Sequence, residues 1–114
     1  MATQSFRDLL VWQRASDLSI QVYKTFLRTK DFGFRDQIQR AALSIPNNIA
    51  EGHARRSDKA FRNFLFIAKG SAAEVESMLV IATKLQYITD VKQKELVSQV
   101  QETARLLAGF IKKL

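Results

Sequence analysis

No cysteine occurs in the 114 residues, which excludes disulfides, thiolate nucleophiles and sulfur-bound zinc. Histidine is single, so the paired Glu-x-x-His motifs of di-metal bundles and an H-E-x-x-H protease site are out of reach. Glycine is scarce and none of the four builds a phosphate-cradling loop. Apolar runs stop after a few residues, far short of the ~20 that a bilayer-spanning helix needs. The N-terminal MATQSFRDLLVWQRA has no basic-then-apolar signal pattern. No stretch alternates with period two for long enough to argue a sheet. Together these absences lead to the expectation of a cytoplasmic protein with no membrane, cofactor or small-molecule substrate.

Acidic residues are the minority charge, 11 against 18 Lys and Arg, for a net charge of +7. A basic balance suits a polyanion such as RNA, and equally a merely solvated surface. The abundant residues are Leu, Ala, Lys, Gln, Arg and Glu, which favour helix. The length fits one domain, 1–114, able to bury roughly 65% of its unfolded surface.

Apolar residues recur at steps of three and four in four stretches, predicting helices at about 6–29, 34–52, 58–87 and 91–113. In the first, Ser5 and Asp8 have capping-box spacing. Val11, Ala15, Leu18, Val22 and Phe26 form its core row, widened by Trp12, Tyr23 and Leu27. The break is expected before Gly33. The second has Phe34, Ile38, Ala41, Ala42, Ile45 and Ile49, and the phase continues through Pro46, predicting a kinked but unbroken helix ended by Gly52 and His53. Ser57 followed by Asp58 predicts the cap of the third. Its row runs Phe61, Phe64/Leu65, Ala68, Ser71/Ala72, Val75, Met78/Leu79, Ala82 and Leu85. Gly70 within it suggests a close backbone approach. Asp90 is expected to cap the fourth, with Leu96, Val100, Ala104, Leu107, Ile111 and Leu114 as its stripe. Short connections then predict an all-α, antiparallel up-down-up-down four-helix bundle.

Three residue sets stand out. Gln37, Arg40, Ser44, Asn48 and Glu51 share one face of the second helix and read as a structural polar network. In it, Ser and Asn satisfy the carbonyl freed by Pro46, and Glu51 pairs with Arg40 or a neighbouring helix. Arg55, Arg56, Lys59, Arg62 and Lys69 form a basic cluster around the turn between the second and third helices, suited to RNA phosphates, with Phe66 nearby for stacking. Phe66, Ala73, Val80 and Tyr87, seven apart on the outer side of the third helix, read as an oligomer interface. Catalytic and metal-binding residues are not expected. His53 sits in a predicted turn without a partner, Glu74 and Glu76 point to different faces, and Ser44, Ser57 and Ser71 have no histidine base.

FRDLLVWQRA at 6–15, QIQRAALSIPNNIAEG at 37–52 and FLFIAKGSAAEVESML at 64–79 resemble the bacterial four helix bundle protein family, also called the 23S rRNA intervening-sequence protein family. The likeness spans nearly the whole chain. It implies a small up-down-up-down bundle that assembles as a homopentamer and has no established catalytic residues. The family pattern falls here on Trp12, Gln37, Arg40, Ser44, Asn48, Glu51, Gly52, Gly70, Ser71 and Glu74, as fold or assembly positions. A related branch, the accessory variability protein of diversity-generating retroelements, implies RNA and a reverse transcriptase as partners. The reading that follows is a non-enzymatic oligomeric bundle binding RNA or a ribonucleoprotein partner through its basic surface. The alternative is a protein-protein interaction scaffold with no nucleic-acid role.

Overall fold

Four α-helices, α1 (Leu10–Thr25), α2 (Phe32–Ala54), α3 (Asp58–Lys84) and α4 (Asp90–Lys113), make up the computed structural model, which describes residues 5–114. Residues 1–4 of the expected domain lie outside the described residues. The helices occupy the corners of a square. Chain neighbours pack side by side, α4 returns to α1, and the α1–α3 and α2–α4 diagonals bring no Cα atoms within 8 Å among the described residues. Neighbours run in opposite senses. Ser19 and Phe26 of α1 meet Ala42 and Phe34 of α2, in falling order. Gln37 and Ser44 of α2 likewise meet Glu74 and Ser71 of α3. Phe61 near the start of α3 packs on Phe110 near the end of α4. The result is a rod of 49 × 22 × 20 Å.

The core rows follow the 3.6-residue period. Ala15, Leu18, Val22, Phe26, Ile38, Ile45, Ile49, Leu65, Val75, Leu79, Leu96 and Leu107 are almost wholly withdrawn from water. Tyr23, Leu27 and Leu85 do not widen the core as expected. Tyr23 lies on the outer side of α1, Leu27 and Leu85 fall just past the ends of α1 and α3, and each stays about half exposed. On α4 the buried position is Thr103 rather than Ala104, its hydroxyl donating to the Gln99 carbonyl at 2.9 Å.

Several boundaries differ from the expectation. The first helix is two pieces. The Ser5–Asp8 capping box forms, but on a single-turn 3-10 helix, Phe6–Asp8, and an extended Leu9 separates it from α1. α1 stops at Thr25, and the break lies in 26–31 with Asp31 as the cap of α2, so Gly33 falls inside the first turn. α2 runs unbroken through Pro46 and past Gly52 to Ala54. The residue that turns the chain is Arg56, at φ 57, not glycine. Gly52 is instead buried against α3, and Gly70 is exposed with no close neighbour. α3 ends at Lys84 and Gln86 adopts φ 64, so Tyr87 is off the helix. Thr89 caps α4, its side chain accepting from the Lys92 N–H at 3.1 Å, and Asp90 takes the first helical position.

Candidate nucleic-acid interface

The turn between α2 and α3 is only three residues long, so both flanking helices deliver their cations to one corner. Arg55 is engaged locally. Its Nη2 reaches Glu51 Oε1 at 3.2 Å, and its guanidinium carbon lies 5.2 Å from the centre of the Phe64 ring. Arg56, Lys59 and Lys69 are exposed and Arg62 is half-buried. None of these four forms an ion pair among the described residues. Antiparallel packing adds cations that are remote in sequence. The Phe61–Phe110 contact brings the end of α4, with Lys112 and Lys113, to the start of α3. The 3-10 turn, with Arg7, packs on α1 and α2.

Charge is therefore unevenly spread along the rod. The end built from 5–14, 51–62 and 102–114 holds nine Lys and Arg against four acids, one of which, Glu102, pairs with Arg14. The far end, 23–37 and 83–95, holds seven against four, and the remaining middle two against three. The axis runs strongly positive, slightly negative, then moderately positive. The positive potential is greatest at the first end.

The polar face of α2 is a seam with α3, less complete than expected. Ser44 and Ser71 share a hydrogen bond of 2.8 Å, and Asn48 Nδ2 donates to the Ser44 carbonyl at 2.7 Å and to its Oγ at 2.9 Å. Gln37 Nε2 donates to Glu74 Oε2 at a long 3.4 Å. Arg40 stays exposed on the open groove between the helices, with Asp36 and Glu74 also lining it. Glu51 pairs with Arg55 one turn on, not with Arg40 or another helix. Positions 40 and 51 are eleven apart, about three turns or ~16 Å on one helix, beyond side-chain reach.

The carbonyl freed by Pro46 is not served by this seam. Pro46 lacks the N–H that would bond the Ala42 carbonyl. Ser19 of α1, itself buried, donates its hydroxyl to that oxygen at 2.7 Å. Ser19 Oγ also lies 2.9 Å from the Ala15 carbonyl, which has a helical N–H already. Gln39, buried on the same side, donates to the Tyr23 carbonyl at 3.1 Å. Ser19 and Gln39 went unrecognised from sequence. The proline signalled that a donor was needed, without saying from which helix.

The outer row on α3 exists but ends early. Phe66, Ala73 and Val80 are exposed on one side, and Ile67 and Ile81 widen the apolar surface. Tyr87 does not belong to it. Its hydroxyl donates to Asp31 Oδ2 at 2.7 Å and its ring meets Phe34 edge-on at 5.4 Å, tying the α3–α4 loop to the α1–α2 loop. That bond holds the Asp31 carboxyl below its ordinary range and raises the Tyr87 phenol above its own. His53 lies in the last turn of α2 and packs edge-on against Phe61 at 5.9 Å.

The model of the family described as 23S rRNA-intervening sequence protein matches residues 7–109. Among solved structures, a crystal structure from Bacteroides thetaiotaomicron VPI-5482 superimposes with a TM-score of 0.84 at 29% identity, covering 90% of this chain and 99% of that one. It is described as a protein with unknown function from the S23 ribosomal protein family. No curated protein matches.

Proposed function

The chain belongs to the 23S rRNA-intervening sequence protein family, and we propose that it is a non-enzymatic, cytoplasmic bundle that self-assembles and binds RNA, or a ribonucleoprotein partner, through its basic end. The observation that carries this is the concentration of nine cations against four acids at one end of the rod, with Arg56, Lys59 and Arg62 free of ion pairs among the described residues. Binding works by phosphate neutralisation and counterion release, with little reading of base identity. The location rests on the lack of cysteine, in keeping with a reducing compartment. A reverse transcriptase partner is the version that the related retroelement branch implies, and an adjacent reverse transcriptase gene would select it.

Self-assembly is supported by two apolar patches on different sides of the bundle. One is the outer row of α3, with Ile67, Ala73, Val80 and Ile81. The other crosses the α1–α2 groove, with Ile20, Tyr23, Leu27 and Leu43 exposed. Clustered exposed apolar residues of this kind are where interfaces form. A contact between two different patches is heterologous, and repeating it closes a ring when the rotation between copies divides a full turn. Five copies is the ring size that the family resemblance implies. Every copy would then present its basic end, and several weak sites would act together.

Filter binding against mixed RNA across a salt series tests the nucleic-acid reading. Log affinity should fall linearly with log salt. In the R56E/K59E/R62E variant the slope should flatten by about 2, at ~0.7 for each single-strand phosphate no longer neutralised. Salt-independent retention, or none, would sink the reading and leave a protein-protein scaffold.

A further inference from the structure

Phe66 lies one turn past the basic end, on α3, and is an aromatic that the bundle does not use. Phe6 packs with Trp12, His53 with Phe61, Phe61 with Phe110, and Phe64 lies under Arg55. Phe66 has no such aromatic or cationic partner among the described residues, and it is 52% exposed. Its surroundings on α3 are cationic and open, with the exposed Ile67 as the one large apolar neighbour on the helix surface. Arg62 precedes it by one turn, Lys69 follows by three residues, and Lys59 lies seven residues back. At ~1.5 Å per residue, Lys59 to Lys69 spans about 15 Å of helix with Phe66 inside it. No acid occurs from 59 to 73. Gly70, one turn beyond Phe66, leaves that side bare, because a Cβ there would meet nothing within 4 Å. Further along the row, Ala73, Ser77 and Val80 have no cation beside them until Lys84. The outer face of α3 thus divides into a cationic aromatic part and a plain apolar part.

We propose that the Lys59–Lys69 stretch of α3 is a single-strand RNA subsite, in which an unpaired base stacks on Phe66 and Lys59, Arg62 and Lys69 hold the flanking phosphates. This rests on the nucleic-acid reading above and adds a substrate class to it. A flat ring between cations suits a base whose face is free, and a duplex buries those faces. The charge argues for nucleic acid over a second copy of this chain at this part of the row, since a like-charged copy would bring more cations against three.

The test uses the full-length protein, an oligouridylate, and an RNA duplex with the same number of phosphates, followed by fluorescence anisotropy at about 0.1 M salt. Phe66→Ala should weaken oligouridylate binding roughly 5- to 150-fold, the range for losing one stacked base, and leave duplex binding unchanged. Phe66→Trp should restore it. Light scattering should give the same particle mass for both variants and the parent. Equal weakening on both probes, or a Phe66→Ala particle smaller than the parent, overturns the subsite, and the smaller particle assigns Phe66 to the contact between copies. Unchanged oligouridylate binding in Phe66→Ala, with binding lost in R56E/K59E/R62E, overturns the subsite while the basic end stands. A parent that binds neither probe overturns both.

Discussion

An alanine at position 52 would place its Cβ 2.7 Å from Phe64 Cβ and 2.9 Å from Phe61 Cδ1. Phe64 Cβ is attached directly to backbone and cannot swing away, so α2 and α3 must part. Gly52→Ala should therefore cost about 1–3 kcal/mol in a denaturant melt, as overpacking does. Gly70→Ala should stabilise by about 0.5–1 kcal/mol, because its surroundings are empty and only the entropy of glycine is removed. A loss there instead would show that another molecule approaches Gly70. Ser19 gives the second residue-scale prediction. Ser19→Ala leaves the buried Ala42 carbonyl without a donor and should cost about 1–3 kcal/mol. In the Pro46→Ala background an amide N–H returns to that carbonyl, so the cost of Ser19→Ala should shrink. A double-mutant cycle showing no coupling would refute this pairing of Ser19 with Pro46. The sequence marks Pro46 as unusual and reads Gly52 only as a helix terminator. It could not show their partners, because Phe64 and Ser19 come from other helices.

At the scale of elements, the loops at the far end are held by Tyr87 and Asp31. The carboxylate accepts from the phenol, which favours ionised Asp31 and neutral Tyr87. Asp31 has its carboxyl lowered, so its contribution is present above the ordinary 3.8 and is lost as pH falls through the lower folded value. Tyr87 is raised, so its contribution is present below the ordinary 10.0 and is lost as pH rises through the higher folded value. The tie is thus intact from about pH 4 to about pH 10. An NMR titration should find the Asp31 midpoint below 3.8 in the parent and shifted up in Tyr87→Phe. No shift on removing the hydroxyl would refute the tie. Helix starts governed by short-range chemistry were readable, at Ser5 and Ser57. Ends were not. Arg56 and Gln86 take left-handed φ where glycine would be easiest, so no residue type marked them. The seven-residue spacing that put Tyr87 on the outer row presumed a helix that had already stopped at Lys84.

For the whole molecule, the rod of 13.0 kDa carries its two apolar patches on separate sides and its charge mainly at one end. The parent should scatter light as a multi-subunit particle at micromolar concentration. Val80→Glu should reduce it to a single chain, since a charge set into an apolar contact loses its water without gaining a partner. A parent particle of one chain's mass would remove the assembly from the proposal, while the basic end could still bind RNA weakly.

The sequence by itself determined four amphipathic helices, most of their core rows and two of their caps. Each depends on residues within a few turns of one another, where helical period and local hydrogen bonding decide the outcome. Only the tertiary structure decided which distant groups meet and at what height along the rod. It set Ser19 on the carbonyl that Pro46 frees, Gly52 on Phe64, and Tyr87 on Asp31. It also gathered Arg7, Lys112 and Lys113 beside the Arg55–Arg62 turn, because antiparallel neighbours bring opposite chain ends together. Periodicity tells which face of a helix is buried. It carries no record of which helix will cover that face, or in what register.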